Sequence, residues 1–158
     1  MYKHILIVVD QRPESQAAIL EGTALAASQG SEVHFFCVLP RYSVPAAEVA
    51  VFDTVSIEEF QRTARGDADK ALTQACKVAG AAGLTAHRAA GSGDDDARSI
   101  ISHALERGCE LIVVATEGRN ALMRMLTGSA VPGLITASPI PVLICRGHAQ
   151  PEPTPPLG

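Results

Sequence analysis

Five short apolar runs, separated by stretches of helical periodicity, constrain this chain more than any other feature. Ile5 to Val9, Val33 to Leu39, Leu84 to Ala90, Leu111 to Ala115 and Val142 to Cys145 read as strands. The first and fourth are continuously apolar, as expected of strands covered on both faces. Between them, Ala17, Leu20, Ala24 and Ala27 mark a face of a first helix, which Gly30 stops. Pro13 sits where its first turn would begin, a favoured place for proline. Ala68, Leu72, Ala75 and Ala79 mark the buried face of a second helix. Ser56 followed by Glu59 gives it a capping-box start, and Gly80 to Gly83 end it. Ala97, Ile100, Ile101, Ala104 and Leu105 mark a third with regular helical spacing. Val131, Leu134 and Ile135 point inward from a fourth. Strands alternating with helices predict a doubly wound α/β fold on a five-stranded parallel sheet, with helices on both faces.

Two strand orders suit five such strands. The flavodoxin-like order is 2-1-3-4-5. The order 3-2-1-4-5 puts the least apolar strand, the third, at one edge. It puts the fifth, flanked by Pro139 and Pro141, at the other. Proline belongs at sheet edges, so the second order is preferred. The switch point then falls between strands 1 and 4, where ligands of open α/β sheets bind beyond the strands' carboxyl ends.

Two segments reach that point. Asp10 ends strand 1, and its carboxylate can accept hydrogen bonds from a ribose or an adenine amino group. The other segment is "ATEGRNALMRMLTGS", Ala115 to Ser129. It is too long for a plain connector of about two to six residues. Gly118 lies where the chain leaves strand 4. Gly128-Ser129 lies where the fourth helix begins, so backbone N–H groups, the Ser129 hydroxyl and the helix dipole can meet an anion there. Taken singly, Gly118 is a turn and Gly128 a helix start.

Composition narrows the alternatives. The chain has 158 residues and only 4% aromatics, so the core must be built from Ala, Val, Ile and Leu. A net charge of −4 without a basic run speaks against a nucleic-acid partner. No run approaches the roughly 18 apolar residues of a membrane span. The first apolar run is too short for a signal peptide, so a cytoplasmic location is expected. Cys37, Cys76, Cys109 and Cys145 form no CxxC pair and read as buried reduced thiols. Asp94, Asp95 and Asp96 stand where they would cap the third helix rather than hold a metal. A phosphorelay receiver is excluded by Gln11 after Asp10, by Ala89-Ala90 ending strand 3 and by Arg146 in place of a lysine. The five histidines show no ligand spacing and read as surface or strand residues. There is no G-x-S-x-G elbow, no full Walker motif and no evident catalytic base. Residues 147–158, rich in proline, read as a disordered tail to a single domain over 1–146.

Three separated matches, in order, give a specific resemblance. "KHILIVVDQRPESQAAI" carries Asp10 and, in a D-x4-S pattern, Ser15. Gly118, nine residues and then Gly128-Ser129 follow strand 4. "ASPIPVLIC" closes the domain, Ala137 to Cys145. The chain thereby resembles the universal stress protein family, nucleotide-binding branch, from Lys3 to about Arg146. The resemblance implies an adenine nucleotide alpha hydrolase-like fold with order 3-2-1-4-5. It implies a homodimer paired through strand 5 and a bound ATP or AMP, with Mg²⁺ bridging the phosphates. Carried over by position, Asp10 and Val38 contact the adenosine. Gly118, Gly128 and Ser129 hold the phosphates, with Ala130 and Val131 nearby. Such a protein would regulate a stress response through a further protein partner; the alternative is an interaction dimer without nucleotide. A slow ATPase is a third reading.

Three positions depart from the pattern. Ala115 replaces its first glycine, so a methyl group either meets the nucleotide or forbids a positive φ. Gln11-Arg12-Pro13 stiffens the loop after Asp10. Pro132 removes one N–H from the first turn of the fourth helix.

Overall fold

A computed structural model describes residues 1–41, 54–116 and 130–147. The strands are β1 (His4–Val9), β2 (Glu32–Val38), β3 (Ala86–Gly91), β4 (Leu111–Thr116) and β5 (Val142–Arg146). The helices are α1 (Ser15–Gln29), α2 (Thr54–Ala81), α3 (Asp96–Glu106) and α4 (Ala130–Ala137). All strand pairs are parallel and the order is β3-β2-β1-β4-β5, as the edge argument predicts.

The pleat divides the core. Ile5, Ile7 and Val9 of β1 join Val33, Phe35 and Cys37 of β2 under α1 and α2. Leu6, Phe36, Ile112 and Val114 face the other way, under α3 and α4. Both faces of β1 and β4 are therefore covered, which is why these two strands carry no polar alternation. On α2 the expected stripe Ala68, Leu72, Ala75, Ala79 is buried. Asp95 is the N-cap of α3, its carboxylate accepting the Arg98 N–H at 3.2 Å, so the aspartates serve the helix as expected.

Several helical assignments shift. The buried face of α1 is Ser15, Ala18, Ile19, Gly22, Thr23 and Ala26, while Leu20 is exposed. Alanines occupy both sides of this helix, so apolar spacing could not choose between them. Packing chose the side bearing Gly22, where a Cβ would stand 2.6 Å from Ile7 Cδ1 of β1. Ile135 of α4 and Leu105 of α3 also lie outward, each 56% exposed. Each continues an apolar stripe past the width that its sheet face can cover. The second helix begins at Thr54, so Ser56 lies inside its first turn rather than ahead of it. No helix among the described residues is long and apolar enough to cross a membrane.

Candidate functional site

The carboxyl ends of β1, β2 and β4 and the start of α4 form the candidate site. Asp10 follows β1 directly. Its N–H donates to Ser15 Oγ at 2.9 Å, and Ser15, 3% exposed, opens α1. The D-x4-S pair is thus a mechanical tie that fixes the turn between strand and helix. The Asp10 carboxylate is held by its own loop. Oδ1 accepts the Arg12 N–H at 2.8 Å. Oδ2 accepts Arg12 Nε at 3.1 Å and Nη2 at 2.8 Å. Sequence reasoning treated Arg12 only as part of a stiffened loop, yet it balances the charge of the acid expected beside a nucleotide. The guanidinium thus places two donors on one oxygen while the Arg12 backbone holds the other, and charge-assisted bonds of this kind are stronger than neutral ones.

Asp10 also reaches its neighbours electrostatically. Cys37, paired with Val9 across the sheet, has its thiol pushed up to about 11, by burial first and by the Asp10 charge second. Burial likewise pushes Cys109 up to about 11. Cys37, Cys109 and Cys145 are buried free thiols as expected, while Cys76 is only half-buried.

Val38 is the last residue of β2, half-buried on the α3 side. Ala115 is 5% exposed and packs in the core beneath α1 and α2, with Val9, Val113 and Cys145. No non-glycine residue described has a positive φ, Ala115 included. The methyl group that replaces the pattern's first glycine is therefore absorbed by the core, and the backbone there needs no glycine. Ala130 begins α4 half-buried. Val131, 3% exposed, anchors the helix against the α3 side of the core. Pro132 is accommodated in that first turn, its carbonyl accepting the Thr136 hydroxyl at 3.0 Å. Five of the predicted residues, Asp10, Val38, Ala115, Ala130 and Val131, thus lie at one end of the sheet or at the helix start above it. Gly118, Gly128 and Ser129 lie outside the described residues, as do Arg119, Arg124 and nearly all of the Arg41 to Thr54 loop. The tail from residue 148 onward does too.

Beside Asp10 opens a cleft of about 360 Å³, lined by Val9, Arg12, Ser15 and Ile19 and by Lys70 and Gln74 of α2. Its size suits a small ligand. On the other face a second hollow of about 360 Å³ runs from Gly91 and Ser92 to Ser102 and His103. Arg41 donates to the carbonyl of Asp94, one of its lining residues, and stands 3.8 Å from the Asp96 carboxylate.

At the opposite end of the sheet, the register gathers polar side chains that sequence spacing kept apart. His4 of β1 is level with Glu32 of β2, and His34 of β2 is level with His87 of β3. Only strand pairing brings them together, so no local motif could have announced them.

The universal stress protein family model matches residues 1–146. Among curated proteins, Universal stress protein YxiE of Bacillus subtilis is 28% identical over 149 residues, covering 92% of this chain and all of that protein. A solved universal stress protein in complex with cAMP superposes with a TM-score of 0.69 at 21% identity, over 93% of this chain and 99% of that one. The universal stress protein from Archaeoglobus fulgidus in complex with dAMP gives 0.62 at 18% identity, over 91% and 98%.

Proposed function

The chain belongs to the universal stress protein family, and from that premise we propose that it binds an adenine nucleotide across the switch point between β1 and β4. The observation that carries this is the sheet order, which sets Asp10, Val38 and Ala115 at one end, with α4 beginning beyond it. Relatives of the same fold hold cAMP and dAMP. The ligand is ATP or AMP, with Mg²⁺ on the phosphates. Asp10 and Val38 take the adenosine. Gly118, Gly128 and Ser129 take the phosphates beside Ala130 and Val131. Arg12 keeps the Asp10 charge from opposing them. The Ala115 methyl, being in the core, leaves room for the nucleotide.

The protein acts as a homodimer paired through β5. That strand is an edge, and Leu143 and Ile144 are 39% and 36% exposed. An exposed apolar edge of this kind invites a second strand. Nucleotide binding then orders the loop after β4 and alters a surface read by another protein.

Thermal melts with Mg-ATP, Mg-AMP and Mg-GTP test the nucleotide claim. Ligand at about a hundred times its dissociation constant adds about 2.7 kcal/mol. For a domain of this size that raises the midpoint by roughly 5–11 °C. The rise is expected with the adenine nucleotides and not with GTP, and it should vanish in Gly118→Val and Ser129→Ala. No rise with any nucleotide at millimolar concentration refutes the proposal and leaves the nucleotide-free dimer. Sedimentation of Leu143→Asp tests the interface; an unchanged dimer places it elsewhere.

A further inference from the structure

The amino end of the sheet, remote from the proposed nucleotide site, carries a cluster built from three strands. His4, Glu32, His34 and His87 belong to one pleat face, because His4 and Leu6 alternate together on β1 and Glu32, His34 and Phe36 on β2. His4 Nδ1 stands 3.3 Å from His34 Nε2 and 3.8 Å from Glu32 Oε2. One ligand atom from each of the three residues lies within 4.8 Å of the other two. His87 Nε2 meets the same Glu32 oxygen at 3.1 Å, and its ring stacks on His34 with centroids 4.7 Å apart.

One of these spacings is already that of a shared ion. Ligands bound at about 2.0–2.1 Å in a tetrahedron stand roughly 3.3 Å apart, which is the His4–His34 separation. The two edges to Glu32 are longer, 3.8 Å from His4 and within 4.8 Å from His34, and closing them takes a shift of the Glu32 side chain, which is 45% exposed. His34 is 7% exposed and fixed in the sheet, so one imidazole of the set is already positioned. His87, hydrogen-bonded to the Glu32 carboxylate, supplies the outer partner that commonly orients a ligating group. His4, 37% exposed, and Glu32 leave the site open to a solvent ligand. Burial, and after it the like charges of His87, His4 and, last, Arg107 just beyond α3, disfavour a proton on His34.

We propose that His4 Nδ1, Glu32 Oε2 and His34 Nε2 bind a first-row divalent transition metal of the Zn²⁺ class, with His87 holding Glu32 in place. Two imidazoles and a carboxylate suit Zn²⁺ and its borderline neighbours, and are a poor set for Ca²⁺ or Mg²⁺, which take oxygen ligands. The ion ties β1 to β2 and, through His87, edge strand β3 to both.

The test uses the full chain, stripped with a chelator and kept reduced with a phosphine that leaves zinc free. Calorimetric titration with Zn²⁺ should show one site per chain, and Co²⁺ should give the visible bands of a four- or five-coordinate ion. Mg²⁺ and Ca²⁺ should not compete. His4→Gln and Glu32→Gln, both at partly exposed positions, should lose at least about 100-fold in Zn²⁺ affinity. His87→Gln should lose about 10–100-fold, as outer partners do. The metal-free melting points of all three should stay near that of the metal-free parent, which separates lost ligation from lost fold. Absence of saturable Zn²⁺ binding overturns the proposal. So does binding that survives in His4→Gln and Glu32→Gln, because the ion would then sit on other groups such as the cysteines.

Discussion

Gly133→Ala tests how closely α3 and α4 are fitted. A Cβ on Gly133 would lie 2.6 Å from the Cβ of Ala97. Neither atom can rotate away, since each is bonded directly to a helix backbone. The helices must therefore part by about 1 Å to restore ordinary contact. Overpacking of this kind costs about 1–3 kcal/mol. Alanine in place of glycine within a helix returns about 1 kcal/mol. The net expectation is a loss of about 1 kcal/mol, a melting point lower by about 2–4 °C. Gly66→Ala is the matched control. Gly66 is exposed inside α2, has nothing within 4 Å of its added Cβ and has no positive φ. It should gain about 1 kcal/mol and melt about 2–4 °C higher. Urea and thermal unfolding followed by far-ultraviolet circular dichroism read both. The double variant Ala97→Gly/Gly133→Ala removes the offending Cβ, so a coupling of at least about 1 kcal/mol should appear in the cycle. The reasoning fails if Gly133→Ala stabilises as much as Gly66→Ala, or if the two substitutions at the contact simply add.

Two further outcomes follow from the titrating groups. His103 stacks on Phe36 with centroids 4.4 Å apart, and burial, aided by Arg107, holds its pKa below the ordinary 6.5. Its contribution to stability is therefore complete above about pH 6.5 and declines as the pH falls through that value, because the unfolded chain takes up the proton first. A proton NMR titration should place its midpoint below 6.5, and a midpoint above it would sink the assignment. The thiols of Cys37 and Cys109, near 11, should react with a disulfide reagent at neutral pH about 100-fold slower than an ordinary thiol, for want of thiolate. Half-buried Cys76 should react first; mass mapping that finds Cys37 labelled ahead of it would contradict the packing.

What could be read before the structure was whatever depends on neighbours in sequence. Ala97, Ile100 and Ala104 of the α3 stripe, the Asp95 cap, the α2 face and the two sheet edges are of this kind. The edges followed from a weak strand and two prolines, each a local signal with a known place in a sheet. The face of α1 was misjudged because alanine fits either side of a helix. The signal that decided it was a glycine close to β1, which apolar spacing does not count. Where the Ala115 methyl goes was hidden for a related reason. A residue at the end of β4 points into the core or toward the mouth of the sheet according to the pleat, and the pleat is set by the register with β1 and β5.

The histidine cluster shows the same limit more sharply. His4 and His34 are thirty positions apart, and His87 and Glu32 fifty-five. Each pair meets only because three parallel strands stand in one register. Side-chain direction in a strand alternates with period two, so a slip of β1 by one residue would turn His4 to the other face and send Ile5 in its place. The register is held by packing on both faces, with Ile5, Ile7 and Val9 within 1% of complete burial beneath α1 and α2 and Leu6 fully buried on the other side. The packing that buries β1 on both faces therefore also fixes where its one polar end residue must point. Residues with no partner in the sequence become a possible ligand set through the packing of residues that carry no chemistry at all.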